Sequence, residues 1–105
     1  MLTIQLQIPK EPLAEFCRRW QVSELAIFGS ALGENFGPES DIDVLVTFAA
    51  DADWSLFDHV RMEQELKSMF KRDVDLVSRR AIERSQNWIR RKTILETAQV
   101  IYAAQ

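Results

Sequence analysis

The chain has few of the residues on which several classes of protein depend. Among 105 residues there is one cysteine, Cys17, and one histidine, His59. A single cysteine cannot form an internal disulfide. It also has no cysteine or histidine at the spacing of a metal-binding motif. We therefore expect Cys17 to be a buried thiol. We expect His59 to be a surface or packing residue of a helix rather than a catalyst.

The chain also lacks a long hydrophobic run. It opens MLTIQLQIPKEP, with its first lysine at position 10, and no apolar segment of membrane length follows. A spanning helix needs roughly 20 such residues, and a signal peptide needs a basic start before its apolar stretch. We expect a cytoplasmic protein without a membrane span. Its length and its 47% hydrophobic content suit a single domain over residues 1–105.

Acidic residues are scarce in one region of the chain, residues 67–92. The net charge of −3 argues against a protein that grips nucleic acid through many phosphate contacts, so no sequence-specific nucleic-acid binding is expected. Residues 67–92, which we call the basic belt, nevertheless hold nine basic and three acidic residues. The belt either contacts phosphates or an acidic partner, or is a solvated helix surface.

Hydrophobic periodicity predicts alternating helices and strands. Apolar residues recur at helical spacing in three segments, the second of which includes Leu56, Phe57 and Val60, whereas short apolar runs mark at least three strands. This order indicates an α+β or α/β protein with a small mixed sheet flanked by helices. The predicted helices cover residues 11–20, 54–70 and 88–103, and the predicted strands cover residues 25–28, 42–48 and 74–77.

All three glycines, Gly29, Gly33 and Gly37, fall in one short stretch between the first two predicted strands. Gly29 ends a strand and Ser30 follows it, so the backbone N–H groups there can face an anion with no Cβ in the way. We interpret this turn as a phosphate cradle.

Acidic residues follow the glycine-rich stretch. Asp41 and Asp43 stand two apart at the start of a strand, so their side chains share one face of it. Asp75 stands near the start of the next strand, and if the two strands are neighbours the three carboxylates converge. Such a cluster needs cations to offset its repulsion. Carboxylates beside phosphates suit two Mg²⁺ ions together with a nucleoside triphosphate. The chemistry indicated is nucleotidyl or phosphoryl transfer.

Each signal alone also fits an ordinary turn or a helix cap. In combination, Phe28-Gly29-Ser30, the segment Ser40-Asp41-Ile42-Asp43-Val44-Leu45-Val46 and the later Val74-Asp75-Leu76-Val77 resemble the minimal nucleotidyltransferase family of the DNA polymerase β superfamily. The similarity spans residues 23–102.

The resemblance implies a role for each motif residue. Gly29, Ser30 and Ser40 would contact the triphosphate of ATP, and Asp41, Asp43 and Asp75 would bind the metal. Asp75 would also help to activate the attacking hydroxyl.

Free-standing members of this size resemble the antitoxin half of HEPN/MNT toxin–antitoxin pairs. The resemblance then implies a heteromeric complex in which AMP passes from ATP to a tyrosine hydroxyl of a HEPN RNase toxin. One departure from the family is that many relatives carry arginine where this chain has Gly33, and often also at Gly37. Arginines of the basic belt, such as Arg79, Arg80 or Arg84, would then have to hold the triphosphate.

Two alternatives remain open from the sequence. One is an antitoxin that masks its toxin by contact alone, without turnover. The other is a nucleotidyltransferase that modifies a small molecule, although 105 residues leave little room for an acceptor-binding domain.

Overall fold

Eight helices and strands make up the part of the chain that the computed structural model describes, residues 8–29 and 41–104. The strands lie in the order β3-β2-β1-β4. β2 and β3 are parallel, whereas β1 is antiparallel to both β2 and β4. The elements are α1 (Lys10–Arg19), β1 (Val22–Phe28), β2 (Ile42–Phe48), α2 (Leu56–Phe70), β3 (Val74–Ser78), α3 (Arg79–Glu83), α4 (Trp88–Thr97) and β4 (Gln99–Ala103). The predicted α+β class with a small mixed sheet and flanking helices is confirmed.

The larger core lies between the sheet and the helices α1 and α2. Alternate residues of β2 point into it, and so do α1 and the second half of α2. We call this side of the sheet the α1/α2 face. Its fully buried members include Leu13, Phe16, Leu25, Ile27, Ile42, Val44, Met62 and Leu66.

The smaller core lies on the other side, which we call the α3/α4 face. Ile82 of α3 and Ile94 of α4 pack there against Ala26, Phe28 and Leu45. The sheet is therefore covered on both faces, which explains why β1 and β2 are apolar at successive positions rather than alternating.

Helix α2 begins later than predicted. Ser55 caps it, because its hydroxyl accepts from the Asp58 N–H while the Asp58 carboxylate accepts from the Ser55 N–H. Trp54 instead lies outside the helix and donates from Nε1 to the Trp20 carbonyl oxygen at 2.9 Å. The predicted apolar face was wrong at the start of the helix, where Leu56, Phe57 and Val60 are exposed.

The predicted helix over residues 88–103 was also wrong in its last third. α4 ends at Thr97, Ala98 takes an extended conformation, and the chain continues as β4 beside β1. Ile101 and Tyr102 fit a helical period, but they pack against the larger core from a strand. The short helix α3 was not predicted at all.

Candidate functional site

Two of the predicted site carboxylates stand side by side in the sheet. Asp43 of β2 and Asp75 of β3 are register partners in the parallel pair. Neighbouring strands lie about 4.8 Å apart, and paired residues project from the same side of a sheet. Asp43 shares the α3/α4 face with Leu45, because Ile42 and Val44 point to the opposite core. The register therefore places both carboxylates on that face, at the same height.

The two carboxylates differ in their exposure to solvent. Asp43 is half-buried next to β1, where its register partner is the buried Phe28. Asp75 is exposed on β3, one of the two outer strands of the described sheet. Of the two register partners, Asp75 is therefore the more open to solvent.

Gly29 follows β1 directly and leaves room for the Asp43 carboxylate. Its φ of +75° lies in the left-handed region that favours glycine. A Cβ at this position would overlap Oδ2 of Asp43 and lie 3.2 Å from its Cγ. The glycine therefore allows both this backbone conformation and the close approach of the end of β1 to the Asp43 carboxylate.

Asp41 is exposed and precedes β2 by one residue. Within residues 8–29 and 41–104, no three His, Cys, Asp or Glu side chains are grouped so that they could hold a metal ion. The structure thus brings Asp43 and Asp75 together but does not join Asp41 to them as a three-carboxylate cluster. Two carboxylates still fit Mg²⁺, which commonly takes one or two of them and completes its shell with substrate phosphates and water.

Other residues of the predicted site lie outside the described residues. These are Ser30 and Ser40, which were expected to contact the triphosphate, together with Gly33 and Gly37. Their roles stay predictions.

Arg79, an arginine of the basic belt, contacts glutamates outside the acidic pair Asp43 and Asp75. Arg79 is the first residue of α3 and lies four residues beyond Asp75, a distance of about 13 Å for an extended chain. It forms ion pairs of 3.6 Å with Glu24 and with Glu83. A cleft at this far end of β2 and β3 is lined by Phe48 and Arg80, among others. Arg79 is thus engaged by two glutamates, and the role of Arg79, Arg80 or Arg84 in holding the triphosphate stays a prediction.

Two residues that sequence reasoning treated as ordinary contact the site strand. His59 and Glu63 of α2 are both hydrogen-bonded to the backbone of Leu76, the residue after Asp75. The sequence signal was a pair of polar residues four apart, flanking the buried Met62.

Trp20 and Trp54 form an edge-to-face pair with ring centroids 5.1 Å apart. Trp20 also donates from Nε1 to Glu65 at 2.6 Å. Both rings pack against the larger core and contact one another, so they serve the fold.

Comparison with known proteins agrees with this geometry. The model of the nucleotidyltransferase domain family matches residues 10–101. No curated protein matches the chain significantly. None of the helices within residues 8–29 and 41–104 has the length and hydropathy needed to cross a membrane.

Several solved structures share the fold. A toxin–antitoxin crystal structure with AMP-PNP is 23% identical, with 93% of this chain and 76% of that chain covered and a TM-score of 0.69. A protein described as a minimal nucleotidyltransferase is 28% identical, with 85% of each chain covered and a TM-score of 0.64. A third structure is a tri-AMPylated Shewanella oneidensis HEPN toxin in complex with an MNT antitoxin, at 24% identity, 89% and 68% coverage and a TM-score of 0.58.

The family match covers most of the chain and includes Gly29, Asp43 and Asp75, which the fold brings together. The resemblance drawn from the sequence motifs is thereby confirmed, and the chain belongs to the nucleotidyltransferase domain family.

Proposed function

We propose that this chain transfers AMP from ATP to a tyrosine hydroxyl of a HEPN-type toxin and so acts as the antitoxin of that partner. The observation that carries the proposal is the register pairing of Asp43 with Asp75 beside Gly29. It is supported by relatives of the same fold, one with AMP-PNP and one with an AMPylated HEPN toxin.

The acidic pair suits a divalent cation. Two carboxylates on adjacent strands repel one another unless a positive charge lies between them. Asp43 and Asp75 would hold Mg²⁺, with Asp41 able to add a ligand from the chain segment just before β2. When bound, Mg²⁺ would offset the negative charge that develops on the phosphate oxygens during transfer.

The chain's own residues would divide the remaining tasks. Gly29 lets the backbone come close to the phosphates, and Ser30 and Ser40 would donate hydrogen bonds to them. Asp75, which is exposed, would accept the proton of an incoming hydroxyl, the role that the family resemblance implies for it. The tyrosine oxygen would then bond to the α-phosphorus of ATP, the bond to the β-phosphate would break, and pyrophosphate would leave.

Adenylation of the partner offers a direct way to silence an RNase. An added adenylate brings bulk and negative charge to a surface that must accept RNA phosphates. The acceptor would come from a partner surface, since Asp75 is open to solvent.

The test is intact-mass analysis of the HEPN protein encoded beside this chain, after incubation with the chain, ATP and Mg²⁺. We expect the wild type to add an adenylate-sized mass to the partner. Asp43→Ala or Asp75→Ala should slow this addition at least about 100-fold, because stabilisation by the cation is worth several kcal/mol and each 1.36 kcal/mol corresponds to a tenfold change in rate.

Asp51→Ala is the matched control, because Asp51 is an exposed aspartate in the turn after β2 and its removal should leave the rate unchanged. A partner that stays unmodified yet is bound and silenced would favour masking by contact. If a small molecule were modified instead of the partner protein, the result would support a nucleotidyltransferase with a small-molecule acceptor.

A further inference from the structure

Asp75 lies on a strand with support from one side only. In the described sheet, β3 has β2 as its single strand neighbour. The carbonyl oxygen of Asp73 accepts from the Ile42 N–H at 2.9 Å, so the backbone groups of residue 73 point toward β2. Since these directions alternate along a strand, the backbone groups of Leu76 point away from β2. An outer strand left this way exposes unpaired donors and acceptors.

Helix α2 supplies the missing partners. Glu63 Oε2 accepts from the Leu76 N–H at 3.0 Å, and His59 Nε2 lies 2.8 Å from the Leu76 carbonyl oxygen. Because a carbonyl oxygen can only accept, the second contact requires the proton on Nε2. Both backbone groups of a single residue are therefore held by two side chains one helical turn apart.

The contact continues along the same stripe of the helix. Lys67, one further turn along α2, lies 4.0 Å from the carboxylate of Asp73 at the start of β3. His59 and Glu63 are both half-buried, so their hydrogen bonds compete less with water than those of an exposed pair. The stripe follows the outer edge of β3 as a neighbouring strand would.

We propose that His59 and Glu63 are positioning residues for Asp75, an inference that rests on the proposed role of Asp43 and Asp75 as cation ligands. Leu76 follows Asp75 directly in the chain. When the Leu76 backbone is held by α2, the position and twist of β3 at Asp75, and with them the position of its carboxylate, are also held. Without this support, β3 keeps its pairing to β2 on one side only, and Asp75 moves relative to Asp43. Metal ligands that are held by surrounding groups bind their ion more tightly than loosely held ones.

The test compares Glu63→Ala with Glu63→Gln. Both variants remove the negative charge, but glutamine keeps an oxygen that can accept from the Leu76 N–H. Gln64→Ala, an exposed neighbour on the same helix, controls for substitution in α2. The readouts are hydrogen exchange of the Leu76 and Asp75 amides by NMR, and Mn²⁺ affinity by electron paramagnetic resonance.

We expect Glu63→Ala to speed exchange at Leu76 and to weaken Mn²⁺ binding by about tenfold, a loss typical of removing a group that supports a metal ligand. Glu63→Gln should restore most of both, and His59→Ala should show a smaller loss of the same kind. Unchanged Mn²⁺ affinity in Glu63→Ala, with the wild type binding normally, would overturn the positioning role.

A wild type that binds Mn²⁺ no better than Asp43→Ala would instead overturn the cation site itself. The exchange data would still report whether α2 holds β3, so the two failures are distinguishable.

Discussion

The two faces of the sheet are built differently. Among residues 8–29 and 41–104, the α1/α2 face carries a cluster of fourteen buried residues, whereas the cluster on the α3/α4 face has five. The smaller cluster shares its face with Asp43 and Asp75. Charged side chains are costly to enclose in a core, so they limit apolar packing around them. In the described part of the chain, one face is therefore mainly apolar core, whereas the other combines a smaller core with two acidic side chains.

We expect the largest effect on stability from shortening one equivalent leucine side chain on each face. Leu25 is fully buried on the α1/α2 face, and Leu45 is 3% exposed on the α3/α4 face. We expect Leu25→Ala to lower the free energy of unfolding by about 4 kcal/mol and Leu45→Ala by about 2–3 kcal/mol, since the thinner layer can relax around the cavity. Urea denaturation measures both, and equal losses would mean that the two layers are equally well packed.

A substitution on the α3/α4 face should separate function from stability. Gly29→Ala places a methyl group against the Asp43 carboxylate and puts a non-glycine residue at a φ of +75°. We expect a loss of only about 1–2 kcal/mol in stability. AMP transfer and Mn²⁺ binding should fall much further, because Asp43 must move. Intact mass and metal titration measure the second effect, and an enzyme of normal activity would contradict the role assigned to this glycine.

The smallest effect belongs to a thiol of the α1/α2 face. Burial raises the pKa of Cys17 from its ordinary value of 9.0 to about 12. The unfolded chain therefore releases this proton first, and the stabilisation from the buried neutral thiol is complete below pH 9 and is lost as the pH rises toward 12. The difference in stability between the wild type and Cys17→Ala should shrink over that range in denaturation series.

Alkylation gives a second measure of the same thiol. Because the thiolate is the reactive form, iodoacetamide should modify native Cys17 slowly at pH 8 and the urea-unfolded chain readily. Rapid modification of the native protein would show that the α1/α2 face opens more easily than its packing indicates.

Much of the fold was predictable where a segment carried its own signal. The β-branched run of β2 and the apolar spacing of α1 placed both elements to within a residue. Predictions failed where tertiary contacts with distant segments outweighed the helical preference of the local sequence. Ile101 and Tyr102 fit a helical period, yet β4 pairs with the edge of β1 that β2 does not occupy, and this long-range pairing outweighed the local pattern. Leu56 and Phe57 matched an apolar helix face but fall in the first turn of α2, beyond the reach of the core.

The candidate site divides in the same way. The residue types and their spacing predicted Gly29, Asp41, Asp43 and Asp75 as parts of one site, and their roles there stay predictions. The sequence did not indicate that the described residues hold no group of three His, Cys, Asp or Glu side chains suited to a metal ion. Nor did it indicate that His59 and Glu63 hold the strand of Asp75, since that contact joins residues 13 positions apart or more.

From the sequence alone, periodicity and residue type located α1, β2 and β3 and suggested which side chains could take part in nucleotidyl transfer, because both signals act over a few positions. They missed α3 and β4. Only the tertiary structure decided that β3 lies parallel to β2 in the register that pairs Asp75 with Asp43. It also decided that α2 completes the outer edge of β3. Strand pairing is a competition among distant segments for backbone hydrogen bonds and burial, and its outcome depends on the whole chain at once.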